Sequence, residues 1–210
     1  MIYENLFVKE LRSPSMPTKL IEGGPIKKDS EVAVGIDQSL TGFALTVISV
    51  EKPANFLTWV YKSPYFGIER LADIRQWLID NLNYIEEHWS VTDIAMEGTV
   101  LMSHAALILG ELSAVVRLSI FDLFEEGDDR RFPLKVPPMT LKKYAAGKGN
   151  AKKQEMLLQI YKRWGIEFND DNAADSYALA RLVSGNFITK MEEDIVLQMK
   201  DTKYRDQPRI

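Results

Sequence analysis

Three acidic residues stand where an acid is hardest to explain. Asp37 closes the run VAVGID, Glu97 closes TDIAME, and Asp175 lies inside DDNAADSYALA, none with a Lys or Arg immediately beside it. Each alone has an ordinary explanation. Aspartate starts turns, a strand-end glutamate can be solvated, and acids in a first helical turn cap free N–H groups and complement the helix dipole. Capping accounts for Asp170 or Asp171. It does not account for Asp175, which sits further in, among Ala173, Ala174, Ala178, Leu179 and Leu182. A carboxylate at such a packed edge is costly unless something positive meets it. Converging carboxylates without counter-charges repel, and oxygen-only ligands suit a hard cation, Mg²⁺ or Mn²⁺. Two such ions about 3.5–4 Å apart are the apparatus of in-line phosphodiester hydrolysis, one activating water and the other stabilising the leaving oxygen.

The elements around these acids follow from periodicity. VAVGID (32–37), FALTVISV (43–50) and FLTWVYK (56–62) read as three strands joined by short turns, hence antiparallel. Leu71, Ile74, Leu78, Leu82, Ile85 and Trp89 recur at helical spacing, TDIAME (92–97) is a strand, and residues 103–125 are helical and apolar almost all round. FPLKV (132–136) is a short strand, followed by helices over 139–146 and 151–164 and a last helix that starts within residues 168–180. Strands separated by helices are parallel. The expected fold is α/β, a mixed five-stranded sheet with helices on both faces. The working crevice of such sheets lies beyond the carboxyl ends of the parallel strands, which brings Asp37 and Glu97 together if their strands are neighbours. Residues 1–30, with Pro14, Pro17, Gly23, Gly24 and Pro25, read as an N-terminal extension, 31–185 as the main domain, and 186–210 as a mixed-charge tail. The tail holds Met191, Ile195, Val196 and Met199, and forms either one more helix or nothing ordered.

Composition narrows the chemistry. The chain has 210 residues, 46% of them hydrophobic, enough for one large domain with its own core. With no cysteine there is no disulfide, thiolate site or cysteine nucleophile, and two histidines, His88 and His104, are too few for a His-rich zinc site. His104 reads as a surface or interface residue. No apolar run suggests a signal peptide or a membrane span, so a cytoplasmic protein is expected. Net charge is −4, but Arg130 to Arg163 holds ten Lys/Arg and only Glu155 as an acid, leaving −13 on the remainder. Such a block is what a phosphate-binding face looks like. Its glycine-rich part, GKGNAKK (147–153), lacks the Walker spacing and the G-K-[ST] ending, so no nucleotide cofactor is expected. Its glycines instead let the backbone approach DNA phosphates, which Lys148, Lys152 and Lys153 neutralise together with Lys142 and Lys143.

VGIDQSLTGFAL, IAMEG, LKKYAAGKGNAKKQEM and DDNAADSYALA, in this order and on these elements, resemble the RuvC family of Holliday junction resolvases. This family is a branch of the RNase H-like fold, and the likeness is greatest to the versions carried by bacteriophages. It covers roughly residues 31–185. The resemblance implies a crossover junction endodeoxyribonuclease, metal-dependent, leaving 5′-phosphate and 3′-hydroxyl ends. Asp37 matches the first-strand aspartate of the catalytic set, Glu97 the fourth-strand glutamate and Asp175 the last-helix aspartate, holding two Mg²⁺ or Mn²⁺ ions. Lys142 and Lys153 match basic positions that hold DNA phosphates, Lys153 beside the scissile one. The family's fourth ligand falls on Asn172, with Asp171 one residue before it, so either is the further metal ligand. An aromatic that often follows the glutamate is replaced here by GTVLMS, where Val100, Leu101 and Met102 offer bulk without a ring. The family is homodimeric, and the 103–124 helix is the implied interface, with Leu109 and Val116 on its apolar face. A phage-encoded version would work in the bacterial host cytoplasm. Two readings compete: a broader branched-DNA or flap nuclease, and a catalytically weak junction-binding module. A sugar-kinase-like or actin-like ATPase would need a second phosphate loop and a longer chain.

Overall fold

Residues 32–36 are apolar or glycine on both faces of a strand and buried throughout, as the middle of a sheet covered on two sides requires. The structure, a computed structural model, describes residues 18–98 and 106–205. Val100, Leu101, Met102 and His104 lie outside the described residues. The elements are β1 (Thr18–Glu22), β2 (Glu31–Asp37), β3 (Phe43–Ser49), β4 (Phe56–Tyr61), α1 (Gly67–His88), β5 (Ser90–Glu97), α2 (Ala106–Leu123), β6 (Leu134–Val136), α3 (Pro138–Ala146), α4 (Lys153–Trp164), α5 (Asp171–Val183) and α6 (Lys190–Met199). The sheet runs β1-β4-β3-β2-β5-β6. From β1 to β2 the neighbours are antiparallel, and β2–β5 and β5–β6 are parallel.

The sheet therefore has six strands, not the expected five. The additional one, β1, comes from the segment read as an extension and pairs with the free edge of β4, from Thr18↔Tyr61 to Glu22↔Leu57. Within TKLIE only Leu20 and Ile21 are apolar, and they pack against opposite sides of the sheet. Two adjacent apolar residues give no period; the edge of β4 supplies the order. At the other end, residues 186–210 do contribute a helix. In α6, Ile195, Val196 and Met199 are buried. A Thr189–Glu192 capping box starts it, and the fully buried Glu192 carboxylate also accepts from Arg163 and from the Trp164 indole.

Two cores flank the sheet. Val32, Val34 and Ile36 face α1 and α2, together with Ile94 and Met96. Ala33 and Ala95 face α3, α4, α5 and α6. Strand alternation then directs Asp37 and Glu97 toward this second side, over which α5 lies. Close approach of α5 depends on Gly35: a Cβ there would stand 2.1 Å from the Ser176 carbonyl oxygen and 2.4 Å from the Ala180 nitrogen. A buried hydroxyl chain pins the helix in place. Thr46 Oγ1 lies 2.7 Å from both Thr58 Oγ1 and Ser176 Oγ, and Ser176 donates to the Ala173 carbonyl at 3.0 Å. Asp175 is the residue just before Ser176.

Candidate active site

Three routes bring the acids together. Asp37 ends β2, Glu97 ends the adjacent parallel strand β5, and Asp175 comes down from α5, held against β2 by the Gly35 contact. A cleft of about 430 Å³ opens at this end of the sheet, lined by Asp37, Gln38, Glu97, Lys142, Lys153, Asp171, Asn172 and Asp175. All three predicted catalytic acids, both candidates for a further ligand and two of the predicted lysines thus share one cavity. Asp170, read as a cap, is one: its Oδ1 accepts from the backbone nitrogens of Asn172 at 3.1 Å and Ala173 at 3.2 Å. Asn172 reaches back over the turn after β2, where a Cβ on Gly42 would stand 2.5 Å from its Nδ2.

The electrostatics are those of crowded carboxylates. Asp37 is 5% exposed, and burial pushes its carboxyl well above the usual range, with Asp175, Glu97 and Asp171 adding repulsion. Burial likewise raises Asp175, to about 7, reinforced by Glu97 and Asp171 and opposed by Lys142 and Lys153. Glu97 is raised by burial against the pull of the same two lysines. Asp171 behaves oppositely. Lys153 hydrogen-bonds its carboxylate, holding Asp171 below and Lys153 above their ordinary values.

The basic block does not act as one surface. Lys142 and Lys153 line the cleft, Lys143 and Lys152 are exposed, and Lys148 pairs with Glu155 at 2.7 Å. Arg163 is turned inward, donating to the Tyr144 and Ala145 carbonyls and to Glu192. Arg130 is held by Asp128, Glu86 and the Val91 carbonyl. The expectation of one open basic face from Arg130 to Arg163 is corrected: Arg130 and Arg163 are taken up by buried or half-buried acceptors of the fold, so the run does not form a single exposed surface.

The helix α2 also differs from expectation. Val116 is completely buried, and with Leu112 and Ile120 it packs into the core shared with α1; Leu109 is half-buried and lines the cleft. Neither belongs to an open apolar face. The apolar residues that α2 exposes are Leu107, Ile108, Leu118 and Phe121. Helical period decides this: 112, 116 and 120 form one stripe, and the sheet takes it.

Of the polar cleft residues that the sequence did not single out, Gln38, Ser39 and Thr41, only Gln38 is buried. Gln38, directly after Asp37, is 9% exposed, and its Nε2 donates to the Glu97 carbonyl oxygen at 2.5 Å. Its position beside an acid was the only signal available.

No protein-family model and no curated protein matches the sequence. Solved structures do match. Thermus thermophilus RuvC in complex with Holliday junction substrate superposes with a TM-score of 0.56 at 20% identity, over 80% of this chain and 96% of that one. The chain has the RuvC fold. A second Thermus thermophilus RuvC structure gives 0.54 at 21% identity, with the same coverages of 80% and 96%. The yeast mitochondrial Holliday junction resolvase Ydc2 gives 0.49 at 17% identity, over 84% of this chain and 82% of that one. On the RuvC fold, the six-stranded mixed sheet places its parallel carboxyl ends, and hence Asp37 and Glu97, under α5.

The donor set of this RuvC-fold cleft fits a hard divalent cation. It is all oxygen, burial raises the Asp37, Glu97 and Asp175 carboxyls, with repulsion that a cation would relieve adding at Asp37 and Asp175, and Gln38 Oε1 is buried without a hydrogen-bond partner. Among the described residues, no three acidic or histidine side chains are gathered tightly enough to hold an ion as they stand. Lys153 holds Asp171, and the other three carboxylates repel one another.

Proposed function

We propose that this protein is a divalent-metal-dependent endonuclease that cuts Holliday junctions or closely related branched DNA, leaving 5′-phosphate and 3′-hydroxyl ends. One observation carries the reading: Asp37, Glu97 and Asp175, from three separate elements, share a cleft with Lys142 and Lys153 on a RuvC fold. The superposed Thermus thermophilus RuvC, itself in complex with Holliday junction substrate, supports a branched substrate.

Each residue has a definite task. Asp37, Glu97 and Asp175 would hold the cations, with Asn172 or Asp171 as the further ligand. Bound there, Mg²⁺ or Mn²⁺ supplies an activated water and charge stabilisation at the leaving oxygen. Lys142 and Lys153 hold non-bridging phosphate oxygens, and Lys153 offsets the charge that develops at the scissile phosphate. Asp171 is the resting partner of Lys153, released when a phosphate takes the ammonium. Lys143, Lys148 and Lys152 extend the contact along the DNA backbone. Two symmetric strands must be cut in a four-way junction, and a two-fold homodimer suits that task. Its contact surface is the exposed side of α2, at Leu118 and Phe121.

The test uses the purified chain with end-labelled four-way junction, flap and linear duplex, each with Mg²⁺, Mn²⁺ or chelator. Paired, metal-dependent incision of the junction is the expected result. Equal cutting of the flap makes the protein a broader branched-DNA nuclease. Tight junction binding without incision under either metal makes it a binding module, the outcome that the neutral Asn172 would favour.

A further inference from the structure

Gln38 holds a distinctive place in the polar accounting of the molecule. Among the described residues only two buried side-chain polar atoms lack a hydrogen-bond partner, and Gln38 Oε1 is one of them. The other, Arg181 Nε, belongs to a guanidinium that stacks over Trp164 and does not line the acidic cleft. Gln38 lines the cleft itself.

The orientation of the amide is fixed by its other end. Nε2 stands 2.5 Å from the Glu97 main-chain oxygen, and a carbonyl accepts only from the NH₂ side. Turning the amide over would set two acceptors against each other. Oε1 is therefore the free atom. Buried without a donor, it bears the full desolvation cost of a carbonyl, which persists in a native site when a ligand supplies what is missing.

The donated bond has a consequence for geometry. The parallel ladder of β2 and β5 ends at Ile36↔Met96, one residue short of both acids. The Gln38 side chain continues the pairing beyond that point and ties the end of β5 to the turn after β2. Asp37 and Glu97 stay paired with Ala44 and Val136 on their outer sides, and the Gln38 bond is the link that ties the two strand ends to each other. A neutral residue suits this place. Asp37 already feels Asp175, Glu97 and Asp171, and a further carboxylate would add to their repulsion, whereas an amide adds an acceptor without charge.

We propose that Gln38 is a positioning residue of this site, whose NH₂ group fixes Glu97 relative to Asp37 while Oε1 accepts a hydrogen bond from a water carried by the bound divalent cation. Mg²⁺ and Mn²⁺ keep water ligands in such sites, and each water offers donors that the carboxylates do not all take up. The inference rests on the metal-dependent reading above.

Manganese binding to the DNA-free protein, by titration calorimetry and by the Mn²⁺ electron paramagnetic resonance signal, tests it. Gln38→Met keeps the shape and removes both polar atoms. Gln38→Glu keeps an oxygen and removes the donor to Glu97. The methionine variant should bind Mn²⁺ about 10–100-fold more weakly, the usual effect of losing an outer partner of a metal site. The glutamate variant should bind Mn²⁺ no more weakly than the parent, yet cut junctions more slowly because Glu97 is no longer held. A Gln38→Met protein that is folded by circular dichroism and binds Mn²⁺ like the parent overturns the proposal. So does a Gln38→Glu protein whose Mn²⁺ affinity falls as far as that of the methionine variant, since the residue would then be a clamp alone. If Gln38→Met fails to fold, the Gln38→Glu comparison decides. A parent protein that binds no Mn²⁺ refutes the metal-dependent function and this inference together. A parent that binds Mn²⁺ and cuts, beside an unaffected Gln38→Met, refutes only the inference.

Discussion

Asp175→Asn should stabilise the metal-free protein while removing its response to metal. Burial, with repulsion from Glu97 and Asp171, lifts the Asp175 carboxyl from 3.8 to about 7. The folded chain therefore holds this proton more tightly than the unfolded chain does. Stability falls as pH rises from the ordinary carboxylate range through about 7, and the full cost is present above that. At full effect the displacement is worth ~4 kcal/mol. Asp175 keeps partial exposure to the cleft, and solvent screening reduces the figure, leaving roughly 2–4 kcal/mol. For a chain of this size that is a Tm difference of ~5–15 °C. Thermal unfolding followed by circular dichroism, in chelator, should show the asparagine variant melting above the parent at pH 8, with the gap narrowing toward pH 5. Mn²⁺ should raise the parent's Tm at pH 8 and leave the variant nearly unmoved. An Asp175→Asn protein that melts no higher than the parent at pH 8 in chelator would refute the electrostatic account. Equal stabilisation of both proteins by Mn²⁺ would remove Asp175 from the ligand set.

The other predictions concern catalysis, affinity, packing and assembly. Asp37→Asn and Glu97→Gln should each abolish junction cleavage with Mg²⁺ while gel-shift affinity for the junction is retained; near-normal cutting by either variant counts against that residue. Lys142→Ala, Lys152→Ala and Lys153→Ala should each lower the slope of log affinity against log salt by about one phosphate contact, and Lys153→Ala should also slow single-turnover cleavage. Unchanged slopes for all three would make them solvated surface residues. Gly35→Ala forces a Cβ against the α5 backbone and should cost ~1–3 kcal/mol in denaturant unfolding. It should also slow cleavage by on the order of 100-fold, because Asp175 shifts with the helix. Leu118→Glu, on the exposed side of α2, should sediment as a folded monomer, whereas Val116→Glu should lose its circular dichroism signal, since an unpaired buried charge costs several kcal/mol. A folded Leu118→Glu dimer would move the interface elsewhere.

Much of the arrangement is written in local pattern. The run VAVGID has to be a strand buried on both faces, because a short run of apolar and small residues between turns fits no other element so well. The stripe of Leu71, Ile74, Leu78, Leu82 and Ile85 has to be a helix lying on it. The same local logic placed Asp37 and Glu97 at strand ends and Asp170 at a helix cap, since turns and caps are chosen by residues close in sequence. The edge strand β1 was not legible, because a strand with two apolar residues becomes one only when a neighbour offers its hydrogen bonds.

What tertiary structure alone decided is which charges meet. Arg163 and Lys153 belong to the same basic run, yet one is turned into the fold to satisfy Glu192 and the other stands at the cleft beside Asp171. Sequence spacing carries no information about that choice, because it depends on which acceptors the packed helices leave buried. The helix α2 makes the same point with apolar residues. Its sequence supplies more of them than one face can hide, and only the packing against α1 and the sheet determines that Val116 is covered and Leu118 is not. The local pattern of the chain determined that carboxylates would stand at the ends of buried strands. The parallel pairing of β2 with β5 determined that Asp37 and Glu97 would stand side by side, and the close approach of α5 to Gly35 determined that Asp175 would face them.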